Sequence, residues 1–546
     1  MTETSSSARV DIDVRRMPWI RPLAGEYADR FPAVSEFFAG NPWTDGGWRD
    51  AIHRVQAHQR DRRAVVQTLR AQATRRGAPP PSIEAIESLA DPRAVAVVTG
   101  QQAGLFGGPL YTLLKAITAL QLAERARQTH GVPAVAVFWV DSEDHDWEEV
   151  RSCPVLDGDL ALRTVSLGEP EGAGELPVAR IVLGQDAERA VAELEAALPP
   201  TEFTDEIAAA LREIYEPGVR MADAFARWMD RLLGSRGLIV FESADPSAKP
   251  MVADLFAREL NDPGRTSALA LSAGEAMRAL GHEPQVVPQP DSVALFRLNG
   301  GRRGIRVREG RFVIDEDTVE ATALVAEARQ HPDRFSPNVL LRPLVQDTLF
   351  PTVAYVSGPS ELAYLGQLKA VYERFSVPMP LIYPRASVTL LDSASARFLA
   401  RYSLPLEQLR AQDESALNHL LEAQLPASVE HALAAVDQSV KQHMAMLADA
   451  VGQLDPTLAG AARTTLGRME HDLRTLHNKI IHAAKKRDET LRRQFSRAKA
   501  LAFPGGHPQE RTLGLPFFLN RYGWALVDRL EAELPLETGK HYVLTI

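Results

Sequence analysis

The stretch Val97-Val98-Thr99-Gly100-Gln101-Gln102-Ala103-Gly104-Leu105-Phe106-Gly107-Gly108-Pro109 decides the fold class. The run from Ala94 to Val98 is apolar and rich in valine, which predicts a buried strand. Beyond the glycines, apolar residues recur at helical spacing from Leu110 to Arg127. The sequence therefore predicts a strand, a glycine-rich turn and a helix, a connection that points backbone amides at a bound phosphate or carboxylate.

The spacing of the glycines distinguishes this turn from two common nucleotide-binding motifs. Glycines at 100, 104, 107 and 108 match neither G-x-G-x-x-G nor G-x-x-x-x-G-K-[ST]. A tight turn without a ligand is the alternative, but Gln101 and Gln102 add polar groups that such a turn does not need. We therefore assign phosphate binding to Gly100, Gly107 and Gly108, and substrate binding to the two glutamines.

Length and composition indicate a soluble globular protein with more than one domain. The chain has 546 residues, of which 45% are hydrophobic, and a net charge of -10, which argues against general nucleic-acid binding. A single cysteine, Cys153, excludes disulfides within the chain and cysteine-based metal clusters. The sequence has neither a membrane-length apolar run nor an apolar signal core, so we expect a cytoplasmic protein without a membrane partner.

A second apolar run, Ala134–Val140, predicts another strand after the helix. Two such strands joined by a helix form a βαβ unit, so the sheet should be parallel. Ligands of parallel sheets bind beyond the carboxyl ends of the strands. The fold class that follows is α/β, with a Rossmann-like parallel sheet as its core.

The acidic stretch Asp141–Glu149 follows this second strand directly and contains one histidine. Crowded acids repel each other, and this is costly unless a cation, a hydrogen-bond network or a substrate amine uses them. Acids at a helix N-terminus are the alternative for Glu148 and Glu149. We assign catalysis to Glu143, Asp144 and His145, and no metal site, because one histidine among acids is a weak zinc signal.

A second strand-turn-helix connection is predicted around Gly358-Pro359-Ser360, after the apolar run that ends at Val356. Ser360 suits the N-cap of the following helix, so Gly358 and Ser360 are a second candidate phosphate site. Tyr364 on that helix is a candidate substrate ligand. Arg342 and Arg385 are candidate anion partners, a surface arginine being the alternative for the latter.

The patterns divide the chain into eight segments. In chain order these are an N-terminal helical segment (1–90), the first half of the core (91–153), a first insertion (154–235), a core strand and helix (236–264), a second insertion (265–340), the second half of the core (341–390), a helical coiled-coil domain (391–503) and a C-terminal segment that docks on the core (504–546).

One feature of the second insertion is Gly300-Gly301-Arg302-Arg303-Gly304, which predicts a basic hairpin tip. An exposed turn is favoured there over a contact with phosphate. In the helical domain, Leu466, Met469, Leu473, Leu476 and Ile480 alternate by three and four, which is the spacing of a coiled-coil seam. The break at Asp455-Pro456 predicts an antiparallel pair of long helices, whose seam lies within one chain or between two.

Several of these motifs together resemble the bacillithiol biosynthesis cysteine-adding enzyme family. The resemblance rests on six motifs in register, namely Val-Val-Thr-Gly-Gln-Gln-Ala-Gly-Leu at 97–105, Gly-Pro-Leu-Tyr-Thr at 108–112, Phe-Trp-Val with Glu-Asp-His-Asp at 138–146, Leu-Arg-Pro with Gln-Asp at 341–347, Gly-Pro with Glu-Leu-Ala-Tyr at 358–364 and Phe-Pro with Gln-Glu-Arg at 503–511.

The resemblance implies a Rossmann-like core related to class I aminoacyl-tRNA synthetases, with two connecting insertions and a coiled-coil domain that forms a homodimer. It implies a ligase that joins cysteine to glucosaminyl-malate as an amide, the last step of bacillithiol synthesis. The signature histidines of the synthetases are missing from residues 100–109, and Arg385-Ala386-Ser387 lacks the signature lysines. These departures argue against a conventional adenylate mechanism.

The chemistry that follows is an amide synthesis from an activated carboxyl group, with ATP or another nucleotide and Mg²⁺ as expected cofactors. Asp144 or Glu143 would hold a substrate ammonium group, and His145 would act as general base on the attacking amine. Arg342 or Arg385 would pair with the malate carboxylates. Two other functions stay open: a related nucleotide-dependent enzyme with a different substrate, and a non-enzymatic dimeric scaffold.

Overall fold

The computed structural model describes residues 9–423, 427–487, 489–537 and 539–546, so the first eight residues of the N-terminal segment lie outside it. Within these ranges the strands, in chain order, are β1 (Arg9–Asp13), β2 (Val95–Gln101), β3 (Ala134–Val140), β4 (Ser152–Leu156), β5 (Leu162–Ser166), β6 (Ile239–Glu242), β7 (Ser292–Leu298), β8 (Arg302–Arg308), β9 (Arg311–Ile314), β10 (Asp317–Val319), β11 (Phe335–Pro337), β12 (Thr352–Ser357), β13 (Leu381–Pro384), β14 (Val388–Leu391) and β15 (Lys540–Thr545).

The α-helices of the same ranges are α1 (Pro22–Asp29), α2 (Asp45–Ala57), α3 (Arg62–Arg76), α4 (Pro80–Ser88), α5 (Leu110–His130), α6 (Trp147–Val150), α7 (Asp186–Ala197), α8 (Thr204–Ile214), α9 (Met221–Leu233), α10 (Ala253–Asn261), α11 (Arg265–Ala279), α12 (Ala321–Gln330), α13 (Arg342–Leu349), α14 (Glu361–Gly366), α15 (Lys369–Phe375), α16 (Ser393–Arg401), α17 (Ser415–Glu422), α18 (Ala427–Gly452), α19 (Pro456–Arg487), α20 (Glu489–Ala502), α21 (Gln509–Thr512), α22 (Leu515–Tyr522) and α23 (Ala525–Glu533).

The core is a five-stranded parallel sheet with the spatial order β13-β12-β2-β3-β6. Val97 pairs with Ala136 of β3, and Tyr355 of β12 pairs with Val98. The strand order reverses between β2 and β12, and this switch point is where ligands of such sheets bind. The predicted Rossmann-like α/β class is confirmed.

Burial explains why the core strands read as continuous apolar runs. Every residue of β3 is buried, and so are the first six residues of β2, because helices cover both faces of a parallel sheet. Helix α5 crosses over from β2 to β3 and ends at Gly131, which has the left-handed φ of +63° typical of a helix C-terminus.

Both predicted insertions interrupt this sheet. Between β3 and β6 the chain forms the β4–β5 hairpin and the helices α7 to α9. Between β6 and β12 it forms an antiparallel sheet in the order β10-β9-β8-β7-β11. The predicted basic hairpin tip joins β7 to β8, where the amide of Asn299 donates to the carbonyl of Gly301.

The chain separates into two compact units. One comprises the residues up to Thr389 together with Gln509–Leu544, and the other comprises Leu390–Pro508 together with Thr545–Ile546. The eight predicted segments are finer than this division, and their boundaries stay predictions. No helix in the described part of the chain has the length and apolar character needed to cross a membrane.

The second unit contains the predicted antiparallel helical pair, α18 and α19. Lys441 lies 3.8 Å from Glu470, and Glu430 lies 3.6 Å from His477, so residues pair in opposite directions along the two helices. Asp455 accepts a hydrogen bond from the amide of Thr457 at the start of α19. Helices α18 and α19 therefore pair within one chain. Met469 and Leu476 of the predicted seam remain exposed, so a seam between two chains stays a prediction.

Candidate active site

A cavity of about 270 Å³ opens at the carboxyl ends of β2, β3 and β12, beside the switch point of the sheet. Most residues that the sequence assigned to ligands line it, namely Gly100, Gln101, Gln102, Arg342, Gly358, Ser360, Tyr364 and Arg385. The other lining residues with charged or phenolic groups are Tyr111, Lys115, Asp141, Glu149, Tyr355, Glu361 and Arg511. The cavity thus contains both acids and bases.

A buried lysine, Lys115 of α5, forms the floor of the cavity. Its ammonium group donates to the carbonyl of Gly100 at 2.9 Å and to Oε1 of Gln101 at 3.2 Å, and it lies 2.5 Å from Oε2 of Glu361. All three N–H groups therefore have acceptors. Burial lowers the pKa of Lys115, and the Glu361 carboxylate opposes this effect. Sequence reasoning missed this residue, although a charge within the apolar first half of α5 was a usable signal.

The carboxylate of Glu361 accepts hydrogen bonds within the second glycine turn, the one at Gly358-Pro359-Ser360. Its Oε2 accepts a hydrogen bond from the amide of Gly358 at 2.7 Å, and its Oε1 accepts one from the hydroxyl of Tyr355 at 2.9 Å. Burial raises the pKa of Glu361, but Lys115, the amide of Gly358 and Arg342 together outweigh this, so that the net shift is downward. The predicted phosphate site at Gly358 is wrong, because this carboxylate already takes its amide. Ser360 lines the cavity, and its proposed role stays a prediction.

The first glycine turn also differs from its predicted role. The amides of Gly107 and Gly108 donate to the carbonyls of Gly104 and Leu105, both at 3.1 Å, and both glycines are buried. The amide of Leu110, the first residue of α5, donates to the carbonyl of Leu513 at 3.1 Å. The assignment of phosphate to Gly107 and Gly108 is therefore wrong, because their donors are used within the turn.

Conformation and close packing explain the glycines of this turn instead. At Gly100 a Cβ atom would come within 2.9 Å of the backbone oxygen of Trp139 on β3. Gly107 has a φ of +94°, and a Cβ there would lie 2.7 Å from the indole of Trp228. A side chain at either position would clash with closely packed atoms, the backbone of Trp139 or the indole of Trp228, which cannot move easily.

Arg342 crosses the cavity from the start of α13. Its Nη2 donates to the hydroxyl of Tyr364 at 3.0 Å, and its Nε lies 3.7 Å from Oδ2 of Asp141. Burial raises the pKa of Asp141; Arg342 opposes this rise and Asp144 adds to it. Burial likewise raises the pKa of Glu149. Asp141, the first residue after β3, is thus the acid of this stretch that faces Arg342.

Arg385 is not available as predicted. Its Nη1 and Nη2 donate to the two carboxylate oxygens of Glu510 at 3.0 and 2.8 Å, which is a bidentate pair. Nη1 also donates to the carbonyl of Ala386 at 2.8 Å. The prediction that Arg385 binds a substrate carboxylate is contradicted, because Glu510 occupies that face of the guanidinium group.

Tyr111 is surrounded by positive charge. The guanidinium carbons of Arg385 and Arg511 lie 5.4 and 5.7 Å from its ring centre, and Gln101 donates to its hydroxyl at 2.9 Å. Burial raises the pKa of Tyr111 to about 12. Arg511 is exposed and has no carboxylate within 4 Å among the described residues, so it is the cavity arginine best placed for an anion. The motif Gln509-Glu510-Arg511 was its signal in the sequence.

Asp144 and His145 lie beside the cavity and are connected to it through Gln102. The amide group of Gln102 donates to Oδ2 of Asp144 at 2.8 Å, and the backbone amide of His145 donates to Oδ1 at 2.8 Å. Nδ1 of His145 lies 3.4 Å from the same Oδ1. Burial raises the pKa of Asp144, but the hydrogen bond from Gln102 and the charge of Arg302 lower it overall.

Glu143 points away from the cavity. It is buried and forms an ion pair with the buried Lys249, whose ammonium group also donates to the carbonyl of Phe335 at 3.2 Å. Glu143 is not among the residues that line the cavity, and an internal cation neutralises its carboxylate, so its assignment to catalysis stays a prediction without support from this geometry. The acids at this strand end are thus divided between the protein interior and the cavity.

A buried polar network supports the Arg385–Glu510 pair. The hydroxyl of Ser387 donates to Glu510 at 3.0 Å and lies 2.8 Å from Nδ1 of His541, whose Nε2 lies 2.9 Å from the hydroxyl of Thr389. Burial lowers the pKa of His541 to about 4, although Glu510 opposes this effect. A neutral imidazole between two hydroxyl groups satisfies both ring nitrogens.

The fold and the cavity define an α/β protein with a Rossmann-like core, a ligand site at its switch point and a helical coiled-coil domain. Two family models match, one described as the N-terminal Rossmann-like domain of bacillithiol biosynthesis BshC over residues 10–386 and the other as its C-terminal coiled-coil domain over residues 388–546. This chain belongs to the BshC family of bacillithiol biosynthesis.

Relatives from three bacteria, each named "Putative cysteine ligase BshC", align with most of the chain. The protein of Salinibacter ruber is 35% identical over 527 residues, which is 95% of each chain. That of Chlorobaculum tepidum is 33% identical over 92% of each chain. That of Symbiobacterium thermophilum is 35% identical over 88% of this chain and 89% of its own.

The buried His541 predicts a specific pH dependence of stability. The unfolded chain binds a proton near pH 6.5, whereas the folded protein excludes it down to about pH 4. The free energy of unfolding should therefore fall as the pH is lowered through this window, by on the order of 3 kcal/mol from this residue. Urea unfolding between pH 4 and 8 measures it.

The matched control is His541→Asn, which keeps a donor and an acceptor between the two hydroxyl groups but does not titrate. We expect its free energy of unfolding to depend less steeply on pH than that of the wild type between pH 4 and 6.5. Equal slopes for the two proteins would show that His541 is not held neutral in the folded state.

Proposed function

We propose that this chain is a ligase that joins the carboxyl group of L-cysteine to the amine of glucosaminyl-malate, the last step of bacillithiol biosynthesis. The observation that carries the proposal is a cavity lined by both acids and arginines, at the switch point of the sheet. The substrates of this reaction carry both ammonium and carboxylate groups. Membership of the BshC family supports the choice of cysteine.

Asp141 and Glu149 are our candidates for binding a substrate ammonium group. Both line the cavity, and burial raises the pKa of each, so their charged forms are only partly compensated by Arg342 and Gln102. A bound ammonium ion would supply that compensation. These two acids take over the role that the sequence assigned to Glu143 and Asp144.

Arg342 and Arg511 are our candidates for binding carboxylates. Arg342 is held by Tyr364 but meets Asp141 only at 3.7 Å, which leaves donors directed at the cavity. Arg511 is exposed at the cavity rim and stacks on Tyr111. Guanidinium groups bind carboxylates in a bidentate way, which would orient the malate part of the substrate.

His145 is our candidate for the general base. Nδ1 lies 3.4 Å from Oδ1 of Asp144 without a hydrogen bond among the described residues, so Nε2 is our candidate acceptor of the substrate proton. An amine attacks a carbonyl only after losing its proton, so a base within hydrogen-bond reach accelerates this step. The side chain of His145 is 43% exposed, which gives a substrate access to it.

Activation of the cysteine carboxyl group requires a further reagent, and we retain ATP with Mg²⁺ as our proposal for it. The amides that the sequence reserved for phosphate at Gly107, Gly108 and Gly358 are already used. Among the described residues no three histidine, cysteine, aspartate or glutamate side chains are grouped to hold a metal ion. These residues do not fit a nucleotide, so we assign no step and no residue to it.

The test is a mass-spectrometric assay of the purified protein with cysteine, glucosaminyl-malate, ATP and Mg²⁺, run with and without the nucleotide. We expect bacillithiol, and AMP or ADP will identify how the carboxyl group is activated. Product without nucleotide would refute ATP as the activating reagent. If the protein converts a different amine or amino acid but neither cysteine nor glucosaminyl-malate, a related enzyme with another substrate would be favoured.

The proposed base leads to a prediction for His145→Ala. Loss of a general base should lower kcat by roughly 100-fold or more, whereas the melting temperature should change little because the side chain is half-exposed. His331→Ala, at another exposed histidine, is the matched control and should keep full activity. Full activity of His145→Ala would remove this residue from the mechanism.

We also propose that the chain forms a homodimer through its coiled-coil domain. Several large apolar side chains of α18 and α19 remain exposed, at spacings of 7 or 11 residues that place them on one face of each helix: Val436, Leu447, Leu458, Met469 and Leu476. Their exposed fractions lie between 41% and 49%. Exposed apolar side chains that share one face of a helix are typical of a protein interface, and a second copy offers the same face.

Sedimentation velocity tests the dimer. The wild type should sediment as a dimer at micromolar concentration, and the double variant Leu447→Lys with Leu476→Lys should shift to the monomer because it places charges in an apolar interface. Gln442→Lys, at an exposed polar position of α18, should leave the dimer intact. A monomeric wild type would refute the proposal.

A further inference from the structure

Arg302 begins β8 at the basic hairpin tip of the second insertion and reaches the loop after β3. We propose that Arg302 is a positioning residue, which holds Asp144 in place and through it orients His145. The proposal rests on the proposed function, because it presumes that this pair takes part in amide formation. It gives a role to the basic tip that the sequence analysis favoured as an exposed turn.

Three strands of the insertion sheet fix the guanidinium group of Arg302. Nη1 lies 3.3 Å from Oδ1 of Asp144, and Nη2 donates to the carbonyl of Pro337 on β11 at 2.6 Å. Its central carbon lies 4.2 Å from the ring centre of Phe296 on β7. The side chain is only 11% exposed, so its orientation is set by packing and not by solvent.

One further nitrogen of Arg302 shows that this placement has a cost. Nε is buried and makes no hydrogen bond within the described part of the chain. A buried donor without an acceptor destabilises the folded protein. A surface arginine would avoid this cost by turning outward, as Arg303 does, which is 43% exposed and lies 3.6 Å from Asp315. The burial of Arg302, with one unpaired donor, therefore indicates a role for this side chain inside the protein and not only at its surface.

The carboxylate of Asp144 is held from three directions. Gln102 donates to Oδ2, while the backbone amide of His145 and the guanidinium group of Arg302 share Oδ1. Without Arg302, Oδ2 keeps the hydrogen bond from Gln102 and Oδ1 keeps only the one from the backbone amide of His145. The carboxylate then has fewer restraints, and its 3.4 Å contact with Nδ1, which helps to set the orientation of the imidazole ring, is no longer fixed.

The neighbouring acid is tied to the same strand in a parallel way. Lys249 pairs with Glu143 and donates to the carbonyl of Phe335, two residues before Pro337 on β11. Two cations thus attach two successive acids to alternate carbonyls of one strand. This arrangement keeps the loop after β3 at a fixed distance from the insertion sheet. The two cations also offset the electrostatic repulsion between the neighbouring acids.

Charged groups from several elements face Asp144. His145 and Arg302 lie within 4 Å, and Asp141 and Glu149 act on it from the cavity. Arg302 helps to lower the pKa of Asp144 against the effect of burial. Removal of Arg302 should therefore move the acid limb of the pH–rate profile to higher pH, because Asp144 becomes easier to protonate.

The test compares Arg302→Ala with its neighbour Arg303→Ala in the ligase assay. We expect Arg302→Ala to lower kcat by roughly 10- to 100-fold with a smaller change in KM, since positioning acts on the proton-transfer step. Guanidinium ion at millimolar concentration should restore part of the rate to Arg302→Ala and leave Arg303→Ala unchanged. Arg302→Lys keeps the charge with fewer donors and should lie between the wild type and Arg302→Ala.

A second readout does not depend on activity. The ¹³Cε1 NMR signal of His145, assigned by its loss in His145→Gln, should move in Arg302→Ala and Arg302→Lys and stay in place in Arg303→Ala. An inactive wild type would count against the proposed ligase. The His145 signal would still show whether Arg302 positions the imidazole ring. An unchanged signal in both Arg302 variants, or wild-type kcat and an unmoved acid limb, would overturn the proposal.

Discussion

The buried ion pair between Lys115 and Glu361 is the interaction on which the site depends. Lys115 comes from the helix after β2 and Glu361 from the helix after β12, so the pair spans the switch point where the two strands diverge. Lys115 is buried and Glu361 is 20% exposed, so removal of Glu361 leaves a buried ammonium group uncompensated, which is strongly destabilising. The same two residues also hold Gly100, Gln101, Gly358 and Tyr355, which are walls of the cavity.

The distribution of charge around this pair follows one rule. Acids and bases that face inward are neutralised by partners from distant parts of the chain, as in Glu143 with Lys249 and Arg385 with Glu510. The groups that remain at the cavity, Asp141, Glu149 and Arg511, have weaker compensation. A ligand with charges of both signs is therefore favoured over a neutral one, because it supplies the missing counter-charges.

The core could be predicted from the sequence because its strands are apolar on both faces and its helices carry a clear period. The ends of the strands could be predicted as a site for the same reason, since parallel topology brings them to one edge. Partners separated by long stretches of chain could not be predicted. Arg385 and Glu510 are 125 residues apart, and Glu143 and Lys249 are 106 residues apart. No local sequence pattern predicts either pair.

The glycine turn illustrates the same limit. Its spacing predicts free amides, but the donors of Gly107 and Gly108 are closed within the turn, and that of Leu110 bonds to Leu513, which lies some four hundred residues further along the chain. Lys115 was within reach of sequence reasoning, because a charge within the apolar first half of α5 requires partners. His145 was a candidate from the sequence, but the contact between Arg302 and the neighbouring Asp144 required the tertiary structure.

The arrival of Glu510 and Arg511 from a distant segment has a consequence for synthesis. During translation the Rossmann-like sheet can be complete while Arg385 still lacks its carboxylate and the cavity lacks one arginine. At ~5–20 residues per second, that interval is on the order of ten seconds. A nascent chain therefore carries the Arg385 guanidinium group without its carboxylate partner, and the cavity is incomplete, until the segment with Glu510 and Arg511 folds back.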